Sequence, residues 1–477
     1  MTTNRLRTPR GQCAALTAIA LALLAGTPAS AESSDTPVVE QLLDLLRDKG
    51  DISDEQHSEL LEKAQKEAAS SAPAKAEPQA AAVGPKITTG YDGLKVQTED
   101  GKFKFRVGGR IQADWNVFKE DKTRRGDGLE LRRARLKAQG TMYNNFVYKL
   151  EANFETDGIT NVTDGWIAYT GFKPFGLPLI LTAGHQKVPF SQQSLTSSNW
   201  QVFQERSLQD SFSDNPATGR RRLGFVARTY GERWLLSSGV FGEGIGYPDE
   251  SNENIGTATR LLFYPLIEKR KGLTFGGAIY YRDWKRNAAP GASVGDLKFA
   301  ARPEAHISGT KLIDTGWLFD VDDMIMYNFE ATGVLGSFHA QGEYTGSSVR
   351  RRGNSDLSFG GGYVQAGYFL TGEQRNYDRQ SGKYKRITPK AMVGEGGIGA
   401  WEVAARYSEM DLSSKDIRGG KERNVTLGLN WWLNRSLMLR FNYVYANPDP
   451  TTSESSKFEG GRDEKISIFE GRAQVVF

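Results

Sequence analysis

Between Lys102 and Trp115 the chain alternates without interruption. Phe103, Phe105, Val107, Gly109, Ile111, Ala113 and Trp115 fall on one side, and Lys102, Lys104, Arg106, Gly108, Arg110, Gln112 and Asp114 on the other. A period of two marks an extended strand whose two faces meet different surroundings. The pattern returns near the end of the chain. Val425, Leu427, Leu429 and Trp431 alternate with Asn424, Thr426, Gly428 and Asn430, and Leu437, Leu439, Phe441, Tyr443 and Tyr445 alternate with Met438, Arg440, Asn442 and Val444. Phe469, Gly471, Ala473, Val475 and Phe477 alternate with Glu470, Arg472, Gln474 and Val476. A soluble β-sandwich or solenoid accommodates such strands, because one sheet face is buried. A transmembrane barrel accommodates them with lipid outside and water inside. From Lys86 to Phe477 there is no cysteine and no convincing helix, and aromatics gather at strand ends in Trp431-Trp432 and Tyr443-Tyr445. Together with a terminal aromatic on the outward face of the last strand, this favours the barrel, in which aromatic girdles mark the two membrane interfaces. The expected fold of residues 86–477 is therefore all-β, a transmembrane antiparallel β-barrel.

The N-terminal segment agrees with that destination. Arg5, Arg7 and Arg10 precede an apolar run of 12 residues, Ala14 to Ala25, and an Ala29-Ser30-Ala31 ending. These are the three regions of a secretory signal peptide. The run falls short of the roughly 20 residues that a spanning helix needs, so residues 1–31 are expected to be removed after Ala31. The one cysteine, Cys13, leaves with them, which excludes a disulfide scaffold and a thiolate metal site in the mature chain. A mean hydropathy of −0.50, with no second apolar run of spanning length, excludes a helical membrane protein.

Residues 32–70 read as a helical hairpin or oligomerisation segment on the periplasmic side. Thr36-Pro37 resembles a helix start and Lys49-Gly50 a stop, with Leu42, Leu45 and Leu46 as the apolar side. Ser53 followed by Gln56 forms a capping box for a second helix carrying Leu60, Leu61 and Ala64. Residues 71–85, SAPAKAEPQAAAVGP, read as an Ala/Pro linker.

Charge separates these regions. Residues 32–85 hold 5 basic and 12 acidic side chains, whereas residues 86–477 hold 53 basic and 45 acidic. The excess lies in rows of one parity: Lys102, Lys104, Arg106 and Arg110; Arg133, Arg135 and Lys137; Arg220, Arg222 and Arg228. A cation on the lipid face costs about 2 to 4 kcal/mol at the midplane, so these rows are expected to face the lumen or the rims. Low-dielectric walls would then focus a positive potential on the water inside and favour anions. Guanidinium forks suit oxyanions, and several moderate sites in series permit release as well as binding. The competing reading is structural: the same arginines neutralise Glu130, Glu151, Glu155 and Glu205.

The stretch LELRRARLKAQGTMYNNFVYKLEANF, followed by DGWIAYTGF, GHQKVPFSQQSLTSSNWQVFQERSL, GRRRLGF, WEVAARYSEMDL, NWWLNRSLMLRFNYVYANP and RAQVVF, resembles the phosphate-selective porin O and P family over residues 86–477. The resemblance implies a sixteen-stranded, trimeric outer-membrane barrel of a Gram-negative cell, whose third extracellular loop, Ser191 to Gly219, folds inward to narrow the channel. It also implies that Lys187 and Arg133 line a selective path for phosphate or related small anions, and that Arg220 and Arg222 begin an arginine series. The candidate anion path is Arg133, Arg135, Lys187, Arg206, Arg220, Arg222, Arg228, Lys104, Arg106 and Arg110. Alternation from Leu179 and Leu181 alone sets Lys187 on the lipid side, so an inward Lys187 requires a bulge or bend near Gly184 or Pro189.

Two alternatives belong to other classes. A general or sugar-type porin would present an aromatic slide, but Trp115, Phe225, Phe441 and Trp401 share the lipid-facing parity, leaving Trp200 and Phe203 as candidate contacts. A lipid hydrolase would need a nucleophile beside one of the histidines His185, His306 or His339, and none has a nucleophile-elbow or HExxH pattern nearby. The expectation is a channel without catalysis, metal or cofactor, surrounded by outer-membrane lipid and without a nucleic-acid partner.

Overall fold

The computed structural model describes residues 38–50, 52–70, 84–120, 126–156, 159–214, 219–245, 253–284, 297–307, 309–449 and 465–477. The signal segment 1–31, Thr36 and nearly all of the Ala/Pro stretch lie outside the described residues. The chain forms two compact units, divided between Ala82 and Val83.

In the first unit, α1 spans Val38–Asp48 and α2 spans Asp54–Ser70. The Ser53/Gln56 box forms in both directions. The Gln56 amide donates to Ser53 Oγ at 3.3 Å and the Ser53 amide to Gln56 Oε1 at 3.0 Å. Gly50 ends α1 with φ +80°, a conformation that suits a residue without Cβ. The apolar side differs from the sequence expectation: Leu43 and His57 are buried, while Leu45 and Leu60 are exposed. His57 Nε2 lies 3.0 Å from Asp44 Oδ1.

The second unit is a closed antiparallel barrel of sixteen strands. They are β1 (Lys104–Glu120), β2 (Gly128–Met142), β3 (Phe146–Thr156), β4 (Ile159–Phe172), β5 (Leu179–Lys187), β6 (Arg221–Tyr230), β7 (Trp234–Phe241) and β8 (Gly256–Ile267), then β9 (Lys271–Asp283), β10 (Val321–Leu335), β11 (Phe338–Arg351), β12 (Leu357–Phe369), β13 (Ala400–Ser414), β14 (Ile417–Trp432), β15 (Leu437–Asp449) and β16 (Ile466–Val476). Each pairs with the next, and β16 closes on β1 from Ile466↔Glu120 to Val476↔Arg110. Closure leaves no free sheet edge, the condition for strands to cross hydrocarbon. The alternation is realised as expected. On β1, Ile111, Trp115 and Val117 are exposed outward, whereas Gln112, Asp114 and Asn116 are buried inside.

At the short-turn end β16 stops before β1 does. A small hairpin, Lys86–Thr88 with Leu94–Gln97, takes over the remaining edge of β1, from Leu94↔Val107 to Gln97↔Lys104. Phe477 and Gly109 exchange amide bonds of 3.1 and 2.7 Å at the junction. Gly93 in this hairpin has φ +87°, and a Cβ there would meet the Val107 carbonyl oxygen at 2.0 Å. No other residue type fits that approach.

Among the described residues, three connections enter the barrel. Residues 188–220 enter from the long-loop end and carry the short helix α3 (Gln192–Leu195). Residues 297–307 and 309–320 of the connection between β9 and β10 enter from the same end. Residues 370–399 enter from the opposite end, where the other turns are short. Phe190, Leu208 and Phe212 of the first connection pack with Phe299 and Leu318 of the second against inward-facing Met324, Met326 and Phe359. Arginines on the far wall fasten the first connection by its backbone: Arg440 donates to the Gln201 and Phe203 carbonyls, Arg472 to that of Gln204 and Arg406 to that of Glu205.

Candidate functional site

Where the three connections meet, the described residues line two cavities in the lumen. The larger, about 710 Å³, opens toward the short-turn end. The smaller, about 90 Å³, opens toward the long-loop end. Arg133, Arg206 and Arg220 border both and form the throat between them.

The local structure explains how Arg133 arrives there with company. On β1 and β2 the register jumps from Gln112↔Arg133 to Ala113↔Leu131, so Arg132 is the extra residue of a bulge. Both Arg132 and Arg133 consequently turn inward. Arg133 donates to Gln112 Oε1 at 2.8 Å, and Arg132 pairs with Glu205 at 3.0 Å. Alternation alone puts Arg132 on the lipid side. The bulge is what brings it inside.

Lys187 also faces inward. Gly184 adopts φ +123° near the end of β5, and beyond it Gln186 and Lys187 both border the larger cavity. The Lys187 ammonium donates to the carbonyls of Ser194, Leu195 and Thr196 at 2.5, 3.1 and 3.3 Å. It thereby closes the last turn of α3, whose terminal carbonyls have no partner within the helix. Arg206 donates to the Gln193 and Thr196 carbonyls at 3.0 and 3.1 Å. Burial and the neighbouring Arg220 push Arg206 down to about 10, so it remains charged at neutral pH. Arg220 pairs with Asp210 and with Asp214.

Of the remaining candidates, Arg106, Arg110, Arg135 and Arg228 border the larger cavity. Arg110 and Arg135 are paired with Glu151 at 2.8 and 3.2 Å, and Arg106 lies 3.7 Å from Asp92. Two candidates are not brought into the site. Lys104 is exposed at the start of β1. Arg222 is sequestered with Arg282 on Glu243, each at 2.5 Å, away from both cavities.

Sequence reasoning missed several contributors. Arg221 pairs with Asp164 at 2.9 Å where β6 begins, and Lys149 pairs with the same carboxylate at 2.5 Å. Lys383 and Lys385 come from residues 370–399, and Arg302 and Lys311 of residues 284–320 border the smaller cavity. No local pattern announces that a connection will fold inward. Among the described residues Lys137, Arg228 and Lys383 border the larger cavity without an ion pair or hydrogen bond. Burial, with Arg228 and Lys149 nearby, pushes Lys383 down to about 8.

The lining of the larger cavity thus has thirteen lysines and arginines against Glu151 and Asp164. The smaller is nearly balanced, with Glu205, Asp210, Asp214 and Glu304 among its basic residues. Burial alone would raise the Glu205 carboxyl, but Arg132, Arg133 and Arg472 hold it well below the usual carboxylate range.

The aromatics singled out in the sequence do not form a slide. Trp115, Phe225 and Phe441 are exposed on the outer wall, and Trp401 stacks on Trp431 at 4.9 Å. Phe203 is buried beneath Arg406, 4.5 Å from the ring centroid. Trp200 borders the larger cavity, but its ring stacks on Trp432 and carries Arg386 at 5.1 Å. Among the described residues, no group of three or more His, Cys, Asp or Glu is disposed to hold a metal ion.

The profile of the phosphate-selective porin O and P family matches residues 105–477. The chain is 28% identical over 396 residues to an uncharacterized protein of Caulobacter vibrioides, covering 80% of this chain and 76% of that one. It is 27% identical over 416 residues to Porin O of Pseudomonas aeruginosa, covering 81% and 91%. Among solved structures, the anion-selective porin from Comamonas acidovorans is similar with a TM-score of 0.49 at 14% identity, covering 79% of this chain and all of that one. The family match spans the closed barrel from β1 to its last residue, and the chain belongs to the phosphate-selective porin O and P family as a porin of the outer membrane.

Proposed function

We propose that this porin is a passive anion-selective channel whose preferred solutes are phosphate or related small oxyanions, working as a homotrimer in outer-membrane lipid. The observation that carries this reading is the cationic lining of the larger cavity and its arginine throat. Thirteen basic side chains against two acidic ones, confined within low-dielectric walls, raise the local concentration of anions and repel cations. Guanidinium forks at the throat suit tetrahedral oxyanions, and the curated relative named Porin O and the family description support that choice over other anions.

Conduction in this reading is a series of exchanges. An anion loses part of its hydration at Arg133, Arg206 and Arg220 and is passed to the unpaired Arg228, Lys137 and Lys383 of the wider cavity. Each site is moderate, so release remains fast. Many of the other arginines are held by carboxylates, which sets the field without adding deep traps. Lys187 fits the path as a fixed charge that also holds the loop. The reading has no catalytic step, cofactor or nucleic acid.

The test is the reversal potential of the purified porin in planar bilayers under a salt gradient, repeated with added phosphate. Anion selectivity with phosphate block of the chloride current is expected. Cation selectivity would overturn the reading and leave the porin architecture standing.

A further inference from the structure

Glu205 stands at the long-loop side of the throat with its carboxylate seated on a guanidinium fork. Arg132 Nε lies 3.0 Å from Oε1 and Arg132 Nη2 lies 3.2 Å from Oε2. That two-pronged pairing is the one a guanidinium makes with a carboxylate or phosphate. Arg472 Nη2 approaches Oε1 at 2.9 Å and Arg133 Nη2 approaches Oε2 at 3.8 Å. Three arginines therefore converge on one anionic group, which borders the smaller cavity and keeps 14% of its side-chain surface accessible.

The loop is also held by bonds that do not involve the carboxylate. The backbone carbonyls of Gln201, Phe203, Gln204 and Glu205 itself are each bound by Arg440, Arg472 or Arg406. Arg472 is independently neutralised by Asp114 at 2.6 Å. The charge of Glu205 is thus spent on the arginines at the mouth of the throat.

We propose that Glu205 is a specificity-determining residue: a tethered carboxylate that competes with the permeating oxyanion for the Arg132 fork and so sets how tightly the throat binds. The proposal rests on the anion-channel reading and deepens it. A solute entering from the long-loop side meets a fork already occupied. It must displace or share with the carboxylate, and a weakly held solute leaves more readily. Without the competitor the same arginines bind more firmly and pass fewer ions per unit time.

The experiment measures phosphate block of chloride current, and phosphate conductance against concentration, for the wild-type trimer, Glu205→Gln and Glu205→Asp. Removal of the charge in Glu205→Gln is expected to lower the half-blocking phosphate concentration by about tenfold, as the loss of one close competing charge implies, and to lower the limiting phosphate conductance. Glu205→Asp, whose carboxylate is withdrawn from the fork, should shift the same way by less. A purely structural role would move both readouts oppositely, because a loosened loop widens the throat, weakens block and raises conductance. Weaker or unchanged block in Glu205→Gln overturns the proposal. If that variant yields no folded channel, unchanged or weaker block in Glu205→Asp does the same. A wild-type channel that prefers cations would instead overturn the anion reading beneath it.

Discussion

The ammonium of Lys187 lies 2.5 Å from the carbonyl oxygen of Ser194, and the carbonyls of Leu195 and Thr196 complete its three bonds. One side chain therefore supplies a charge to the cavity wall and fixes the loop that narrows it. Lys187→Met should keep the volume but leave the Ser194 and Leu195 carbonyls without this donor, at a cost of about 1 to 3 kcal/mol for each that water does not reach, whereas Arg206 still donates to Thr196. Lys187→Glu adds repulsion from the same carbonyls. Both are expected to raise the half-blocking phosphate concentration at least about tenfold, with Glu moving the reversal potential toward cations. Lys421→Glu, on a strand near the rim beside Glu409 at 2.5 Å, should leave selectivity unchanged. Equal effects from Lys187 and Lys421 in bilayer recordings would remove Lys187 from the path.

Arg220 and Arg222 are two residues apart and should fail differently. Arg220 borders both cavities, whereas Arg222 shares Glu243 with Arg282 outside them. Arg220→Ala is expected to raise the half-blocking phosphate concentration by about fivefold and, by removing the partner of Asp210 and Asp214, to lower the denaturation midpoint in detergent. Arg222→Ala should instead retain selectivity, and because Arg282 still neutralises Glu243 its cost should stay below the roughly 3 kcal/mol of a buried charge left unpaired. A selectivity loss confined to Arg222→Ala would contradict the assignment of the throat.

Lys383 provides a pH signature. A lysine is charged below its pKa, and this one is pushed down to about 8 by burial, Arg228 and Lys149. Raising the pH from 7 to 9 should therefore neutralise it while an ordinary lysine stays charged. Anion selectivity in chloride, which does not itself titrate, is expected to fall across that window. Lys383→Arg should flatten the profile, because guanidinium remains protonated. For stability the sign is opposite. Between about pH 8 and the unfolded lysine value the unfolded chain holds more protons at this position, so this contribution rises with pH. Identical selectivity profiles for wild type and Lys383→Arg would remove Lys383 from the conducting field.

What the sequence determined by itself is the wall. A period of two is imposed by strand geometry, and a membrane makes the two faces chemically distinct, so Trp115 outward and Gln112 inward are legible from neighbours alone. The same holds for Arg106, Arg110, Arg133 and Arg135, whose parity matches their inward place, and for the Ser53/Gln56 box, where three residues of spacing decide the bond. What only the tertiary structure decided is the interior. Parity fails wherever the ladder slips, as at Arg132, where one extra residue of β2 turns two successive arginines inward, or where a strand ends, as at Lys187 and Arg221. It also says nothing about connections. Lys383 reaches the lumen because residues 370–399 fold back through the short-turn end, and Arg222 leaves the path because Glu243 and Arg282 capture it. Those outcomes depend on charges and carbonyls brought together across the barrel, and contacts of that range leave no local period to read.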